Sequence, residues 1–316
     1  MAINILMVSS LAPSSVIKQI VAWAIGIGLF FIGSQINPEQ IKSSKTVLFI
    51  LSCLMLLTPI LLNNITRGSR RWIDVGPLSF QPSEIVKPLL LLYIIHSNVP
   101  YLIAIPVAII MMQPDLGSAI SVMFLLAPVV LYNQKLFKIG LIVLAIGTAL
   151  SPVIWNKVLH DYQKHRILNF IAPQSDPLGK GYNVLQAKIA IGSGGFFGKG
   201  YRQGTQSQLL FLPEKHTDFM FSAIGEELGL IGICTIIFCY FLLIKTLITK
   251  AYTTTSNRAL FLFTLGIALQ IWLQSFVNIG MNVGLLPVTG IPLPFLSVGG
   301  SSIMTLLFSL GIIFSS

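Results

Sequence analysis

About nine apolar runs follow one another along this chain, each close to the ~20 residues needed to cross ~30 Å of hydrocarbon. No other feature limits the fold so tightly, because in lipid the backbone N–H and C=O groups have no water to bond, and each run satisfies them as a helix. The runs lie near 16–36, 46–62, 85–97, 99–113, 116–133, 139–155, 228–248, 259–279 and 301–316. A mean hydropathy of +0.83 with 54% hydrophobic residues is more apolar surface than a soluble domain of 316 residues can bury. The expected fold class is an all-α integral membrane protein, a polytopic helical bundle of about 9–10 transmembrane helices with a large extracytoplasmic loop.

Residues 85 to 113 are interrupted by "HSNVP", and one helix of that length would reach ~43 Å, so two short spans are expected there. The opening "MAINILMVSSLAPSS" has no basic n-region and too short an apolar core for a signal peptide or a whole span, and reads as the stub of a helix. Cys53, Cys234 and Cys239 fall inside apolar segments with no metal-binding or disulfide spacing.

With these spans, Lys42, Lys45, Lys135, Lys138, Lys245, Lys250 and Arg258 share one side in short loops, opposite Lys18, Arg67, Arg70 and Arg71. The positive-inside rule places the first set in the cytoplasm. All acids except Glu39 then stand at or near the outer face.

The polar mass lies in two outer segments, 63–84 and 156–227, on a single integral domain covering 1–316. The second is longer than a structureless loop ordinarily is, which marks it as functional. It ends in "LPEKHTDFMF", which gathers Glu214, Lys215, His216 and Asp218 in a chain with only 9% charged residues.

From the pattern alone Asp218 reads two ways. Either Thr217 or Asp218 is a helix N-cap, or Asp218 is a general base at the membrane surface whose pKa is set by partial desolvation and its charged neighbours. Arg70, Arg71 and Trp72 in the first outer loop suit phosphate oxygens and a sugar face, or plain interfacial anchoring. Glu84 and Lys87 share a helix face as a structural ion pair or as part of a site, and in either case point into the bundle. Asp115, in "QPDLGS", is equally a turn or cap residue.

The cluster "GSGGFFGKG" (192–200) lacks dinucleotide-loop spacing and is read as flexible interfacial backbone, with Lys188, Lys199 and Arg202 nearby. The stretch 284–302 packs Pro287, Pro292 and Pro294 with glycines between two spans. Broken backbone at that depth must be buried in protein or line a wet cavity, so it is expected to wall the site. The outer cationic surplus suits an anionic lipid phosphate and not nucleic acid.

The blocks "GSRRWIDVGPLSFQPSE", "QPDLGSA", "HDYQKHRILNF", "KGYRQGTQSQLLFLPEKHTDF" and "NIGMNVGLLPVTGIPLPFLSVGGSS", in this order, resemble the SEDS family over nearly the whole chain. The "KGYRQGTQSQL" block is closer to the elongation branch of that family than to its division branch. The resemblance implies a ten-helix peptidoglycan glycosyltransferase in the bacterial cytoplasmic membrane, polymerising lipid II at the outer face. Its expected partners are a class B penicillin-binding protein and the elongation machinery. It makes Asp218 the essential acid and carries Trp72 and Glu84 into the site. Asp115, Lys188, His216, Thr217 and Ser301 are taken as further substrate-binding residues.

On that reading Asp218 deprotonates the acceptor hydroxyl as it attacks the anomeric carbon, with undecaprenyl pyrophosphate leaving and inversion of configuration. Arg70, Arg71, Lys87, Lys188 and Lys215 are the candidates for stabilising the departing charge, and a divalent cation, Mg or Mn, is a further option. Glu226 and Glu227 stay open as a second acid. Against the family the first helix is shortened, either genuinely or through a start assigned too far downstream.

Two rival readings are a flippase for the lipid precursor, which would need polarity continuing across the midplane, and a scaffold for the penicillin-binding protein.

Overall fold

The computed structural model describes residues 1–62, 71–75, 78–153, 156, 164, 180–209 and 211–315, and they form a bundle of helices. The elements that position the site are α1 (Ala2–Leu11), α2 (Val16–Gly33), α3 (Lys45–Leu61) and α4 (Pro82–His96). They continue with α5 (Ala104–Met111), α6 (Leu116–Phe124), α7 (Ala127–Tyr132) and α8 (Gln134–Ala149). The outer-segment helices α9 (Lys180–Ser193) and α10 (Thr205–Gln208) precede α11 (Met220–Thr253), α12 (Arg258–Asn282) and α13 (Gly300–Ile313).

Among the described residues four helical stretches are long and apolar enough to cross a membrane alone: Pro13–Gly33, Pro38–Leu61, Met220–Thr253 and Arg258–Asn282. Ala2–Leu11, Pro100–Met111, Leu116–Tyr132 and Gly300–Ile313 are shorter apolar helices. The break expected at "HSNVP" is present, since α4 ends at His96 and a 3-10 turn at Pro100–Ile103 leads into α5.

Local chemistry sets several helix starts. Asn133 accepts from the N–H of Lys135 at 3.0 Å, and Asn257 from that of Leu260 at 2.9 Å. The carboxylate of Glu39, the acid left on the other side, accepts from the N–H of Ala259 at 3.2 Å and so caps α12 from a distant loop. Among the long spans α12 is central, with 72% of its apolar window buried against 28% for α11. Helices α2 and α13 pack backbone to backbone, since a Cβ on Gly33 would stand 2.5 Å from the Phe308 carbonyl oxygen.

Two elements differ from the sequence reading. Strands β1 (Ile73–Val75) and β2 (Leu78–Phe80) pair antiparallel inside what reads as a loop, with Val75 opposite Leu78. Helix α11 starts at Met220, ahead of the expected 228, and is broken at Gly229, whose φ and ψ are 67° and −162°.

Candidate active site

The approach to α11 is fixed by a small second core. Leu212 and Phe219 are buried with Ala187 and Ala190 of α9, and Val288 packs against them. Between those anchors the chain turns tightly, and the N–H groups of Thr217, Asp218 and Phe219 converge on the Glu214 carbonyl at 3.1, 3.1 and 3.2 Å. Thr217 Oγ1 also donates to the Glu214 carboxylate at 3.0 Å.

Three successive carbonyls are then held from outside. Val298 N–H donates to His216 O at 2.9 Å, and Ser297 Oγ to Thr217 O at 2.5 Å. The side-chain amides of Asn278 and Asn282 donate to Asp218 O at 3.2 and 3.0 Å. The N-cap position of α11 is Phe219, and the early N–H of Ser222 is met by Asn282 Oδ1 at 3.1 Å. Capping thus falls to a side chain of α12, not to Thr217 or Asp218. Asp218 is half-buried, and a Cβ on Gly290 would stand 3.8 Å from its Oδ2.

The 284–302 stretch packs directly on this turn. Its bend carries Phe295 at a φ of 60°, unusual for an aromatic residue, with the ring stacked on Trp23 at 6.1 Å. Asn4 of α1 donates to Leu296 O at 2.7 Å and accepts from Trp23 Nε1 at 2.9 Å. So α1, read as a stub, braces the loop that holds Thr217.

A second polar group packs on residues 289–291. A Cβ on Gly117 would stand 2.7 Å from the Thr289 carbonyl oxygen, so only glycine lets the start of α6 approach. There Asp115 caps α6 by accepting from Ser118 N–H at 3.1 Å, and it also accepts from Gln81 Nε2 at 3.0 Å and faces Arg71 at 3.6 Å. Gln81 N–H donates to Ser301 Oγ at 3.3 Å. The structure therefore brings Arg71, Asp115 and Ser301 together through Gln81.

Glu84 and Lys87 pair at 2.5 Å, 4% and 5% exposed, pointing into the bundle as the cost of charge in lipid requires. Lys188 is exposed on α9 and its side chain lies against Gly284. Trp72 is half-buried beside the strands, and Arg70 lies outside the described residues. Lys215 is 8% exposed and donates to the Ser207 carbonyl. Burial pushes its ammonium below the usual lysine range, while Glu227 and Glu226 pull it back up. It anchors the preceding segment and does not face a ligand space.

The glycine cluster is not loose backbone. Residues 194–200 clasp the break in α11: Lys199 and Gly200 N–H donate to the carbonyls of Glu226 and Glu227 at 2.9 and 3.1 Å. The carbonyls of Gly195 and Phe196 accept from Leu230 and Ile231 N–H at 2.9 and 3.3 Å. The groups freed at the broken helix are thus repaired by the loop. Both side-chain acids are committed there as well. Glu226 accepts from Lys199 Nζ at 2.8 Å and from the N–H groups of Gln206 and Ser207 at 2.8 and 2.9 Å; Glu227 accepts from Ser10 Oγ at 2.6 Å.

Gln81, Asn278, Asn282 and Ser297 were missed in the sequence. The legible signal was the pair of asparagines four apart on one face of an apolar helix. Among the described residues no three His, Cys, Asp or Glu side chains stand close enough together to hold a metal ion.

The sequence profile of the cell cycle protein family that includes FtsW, RodA and SpoVE matches residues 2–315. Peptidoglycan glycosyltransferase MrdB of Escherichia coli K12 is 38% identical over 308 residues, covering 92% of this chain and 82% of that protein. A probable peptidoglycan glycosyltransferase FtsW of Trichlorobacter lovleyi is 36% identical over 283 residues, covering 82% and 72%. Among solved structures, a chain of a peptidoglycan synthase complex that coordinates polymerization and crosslinking superposes with a TM-score of 0.80 at 29% identity, covering 99% of this chain and 93% of that one. The rod shape determining protein RodA of Thermus thermophilus does so at 0.69 and 28%, covering 99% and 91%. On sequence and fold alike, this chain belongs to the SEDS family, the membrane proteins FtsW, RodA and SpoVE.

Proposed function

We propose that this protein is a RodA-type peptidoglycan glycosyltransferase that polymerises lipid II at the outer face of the bacterial cytoplasmic membrane, with Asp218 as general base. The observation that carries the reading is the backbone clamp on residues 216–218, whose three carbonyls are held by Val298, Ser297, Asn278 and Asn282. Such a clamp fixes the backbone that carries the carboxylate before substrate arrives, and positional catalysis gains its rate from such preorganisation. Asp218 takes the proton of the acceptor hydroxyl as its oxygen attacks the anomeric carbon of the donor. The bond to undecaprenyl pyrophosphate breaks on the opposite face, and configuration inverts.

Pyrophosphate is a good leaving group, so what remains is positioning and charge. Arg71, half-exposed beside Asp115, and the exposed Lys188 are suited to that charge. Lys87 and Lys215 are not, because each is turned inward onto Glu84 and the Ser207 carbonyl. The likeness to a synthase complex that coordinates polymerization and crosslinking supports a class B penicillin-binding protein as the partner.

The test is polymerisation of labelled lipid II by the purified wild type and by Asp218→Asn, with and without the partner. Glycan chains from the wild type and at least a ~10²-fold loss in the variant are expected. Equal rates would remove Asp218 as the base. No chains from either, with the partner present, would move the flippase and scaffold readings ahead.

A further inference from the structure

The bundle interior holds polar side chains that the site does not use. Gln270 and Gln274, one turn apart on α12, are 2% and 1% exposed. Both amide atoms of Gln270 and Oε1 of Gln274 have no hydrogen-bond partner among the described residues. Together with Glu84, Lys87 and Ser309 they line one small, partly open pocket.

Buried polar atoms in native proteins nearly always find a partner, in protein or in ordered water. The pocket has a volume of about 10 Å³, near the lower limit for holding one water molecule. Its lining supplies both kinds of partner. Gln270 Nε2 can donate, Gln270 Oε1 and Gln274 Oε1 can accept, and Lys87 spends on Glu84 Oε1 only one of its three N–H bonds. The Glu84–Lys87 pair is neutral overall, and the ammonium on the wall repels a cation. An apolar occupant would leave the amides unpaired. The chemistry therefore calls for a small neutral molecule that both donates and accepts.

We propose that this cavity is a binding site for one structural water, held by Gln270, Gln274 and Lys87, that ties α4 to α12 deep in the membrane. Gln270, Gln274, Asn278 and Asn282 follow at intervals of four, so they stack on one face of α12, and all are buried. The upper two hold the Asp218 carbonyl. The lower end lies about 18 Å further along the axis, more than half of a ~30 Å hydrocarbon core. The water is the foot of that polar face, where it also completes the bonding of the ion pair.

Radiolytic hydroxyl labelling of the intact protein in nanodiscs tests this, because a bound water yields radicals in place and oxidises side chains that bulk solvent never reaches. Ile267 and Pro88, on the cavity wall, should be oxidised several-fold faster than Leu90 and Ile94, which are fully buried in the apolar core. In Gln270→Leu, which removes the amide and fills the space, labelling of Pro88 and Ile267 should drop to the level of that core. Wild-type labelling no faster at Ile267 and Pro88 than at Leu90 and Ile94 would show a dry cavity and overturn the proposal. Unchanged labelling in Gln270→Leu would overturn the assignment of that side chain. The wild-type comparison stands even if the variant does not fold.

Discussion

The side-chain amide of Asn282 donates to the Asp218 carbonyl at 3.0 Å while its oxygen accepts from the N–H of Ser222 at 3.1 Å. One side chain thus both caps α11 and fixes the residue proposed as base. Asn282→Asp keeps the acceptor and loses the donor. It should fold and lose turnover by about 10²-fold, the scale of an ångström-sized misplacement, with little change in KM. Asn282→Leu leaves buried groups on both partners unpaired and should also lower the thermal midpoint. Matching lipid II kinetics in Asn282→Asp and the wild type would show that the carbonyl contact does not position Asp218.

Gly198 should be intolerant of any side chain. Its φ is 80°, and a Cβ there would stand 2.1 Å from the Glu227 carbonyl oxygen at the break in α11. Strain and overlap together predict that Gly198→Ala costs about 2–4 kcal/mol, read as a lower midpoint in detergent. Gly192→Ala, at a position with nothing within 4 Å, is the control and should leave the midpoint unchanged. Equal midpoints for the two variants would mean the clasp is not tight.

The spans and the Asp115 cap were readable because their causes are local: apolar length, and an Asp standing just ahead of a helix. The start of α11 was legible only in the cap reading of Thr217 or Asp218, since the apolar run itself begins near 228. Glu226 and Glu227 look like loop residues beside an apolar run, and become helical because Lys199, Ser10 and the backbone of 194–207 arrive from elsewhere to pair them. The glycines of 192–200 looked flexible for the same reason, since nothing nearby in sequence shows the helix break they fit. At the site, "HTDF" was legible as charge in an apolar chain. The residues that clamp it, Ser297 and Asn278 among them, lie 60 or more positions away, and only the fold brings them there.

Glu226 should prove to be an anchor and not a second acid. It is fully buried and receives Lys199 and the N–H groups of Gln206 and Ser207. Glu226→Gln turns an amide against those donors and should destabilise the 194–209 segment by about 1–3 kcal/mol. Limited proteolysis should cut there sooner, and activity lost at 37 °C should return on cooling. Activity lost at every temperature, with the segment still protected, would instead give Glu226 a direct part in the chemistry.

Lys215 should leave a signature in the pH dependence of stability. Burial holds its ammonium below the unfolded value of 10.5, with Glu227 and then Glu226 opposing. Between the lowered folded pKa and 10.5 the folded chain binds fewer protons at this site than the unfolded chain. Stability therefore rises with pH across that interval, and this site adds no slope below it. Lys215→Met removes the linkage. At constant ionic strength, the midpoint difference, wild type minus variant, should shift in favour of the wild type as pH is raised toward 10.5. A difference that stays flat over that range would place the Lys215 ammonium in water, and with it would go the claim that Lys215 anchors Ser207 from inside.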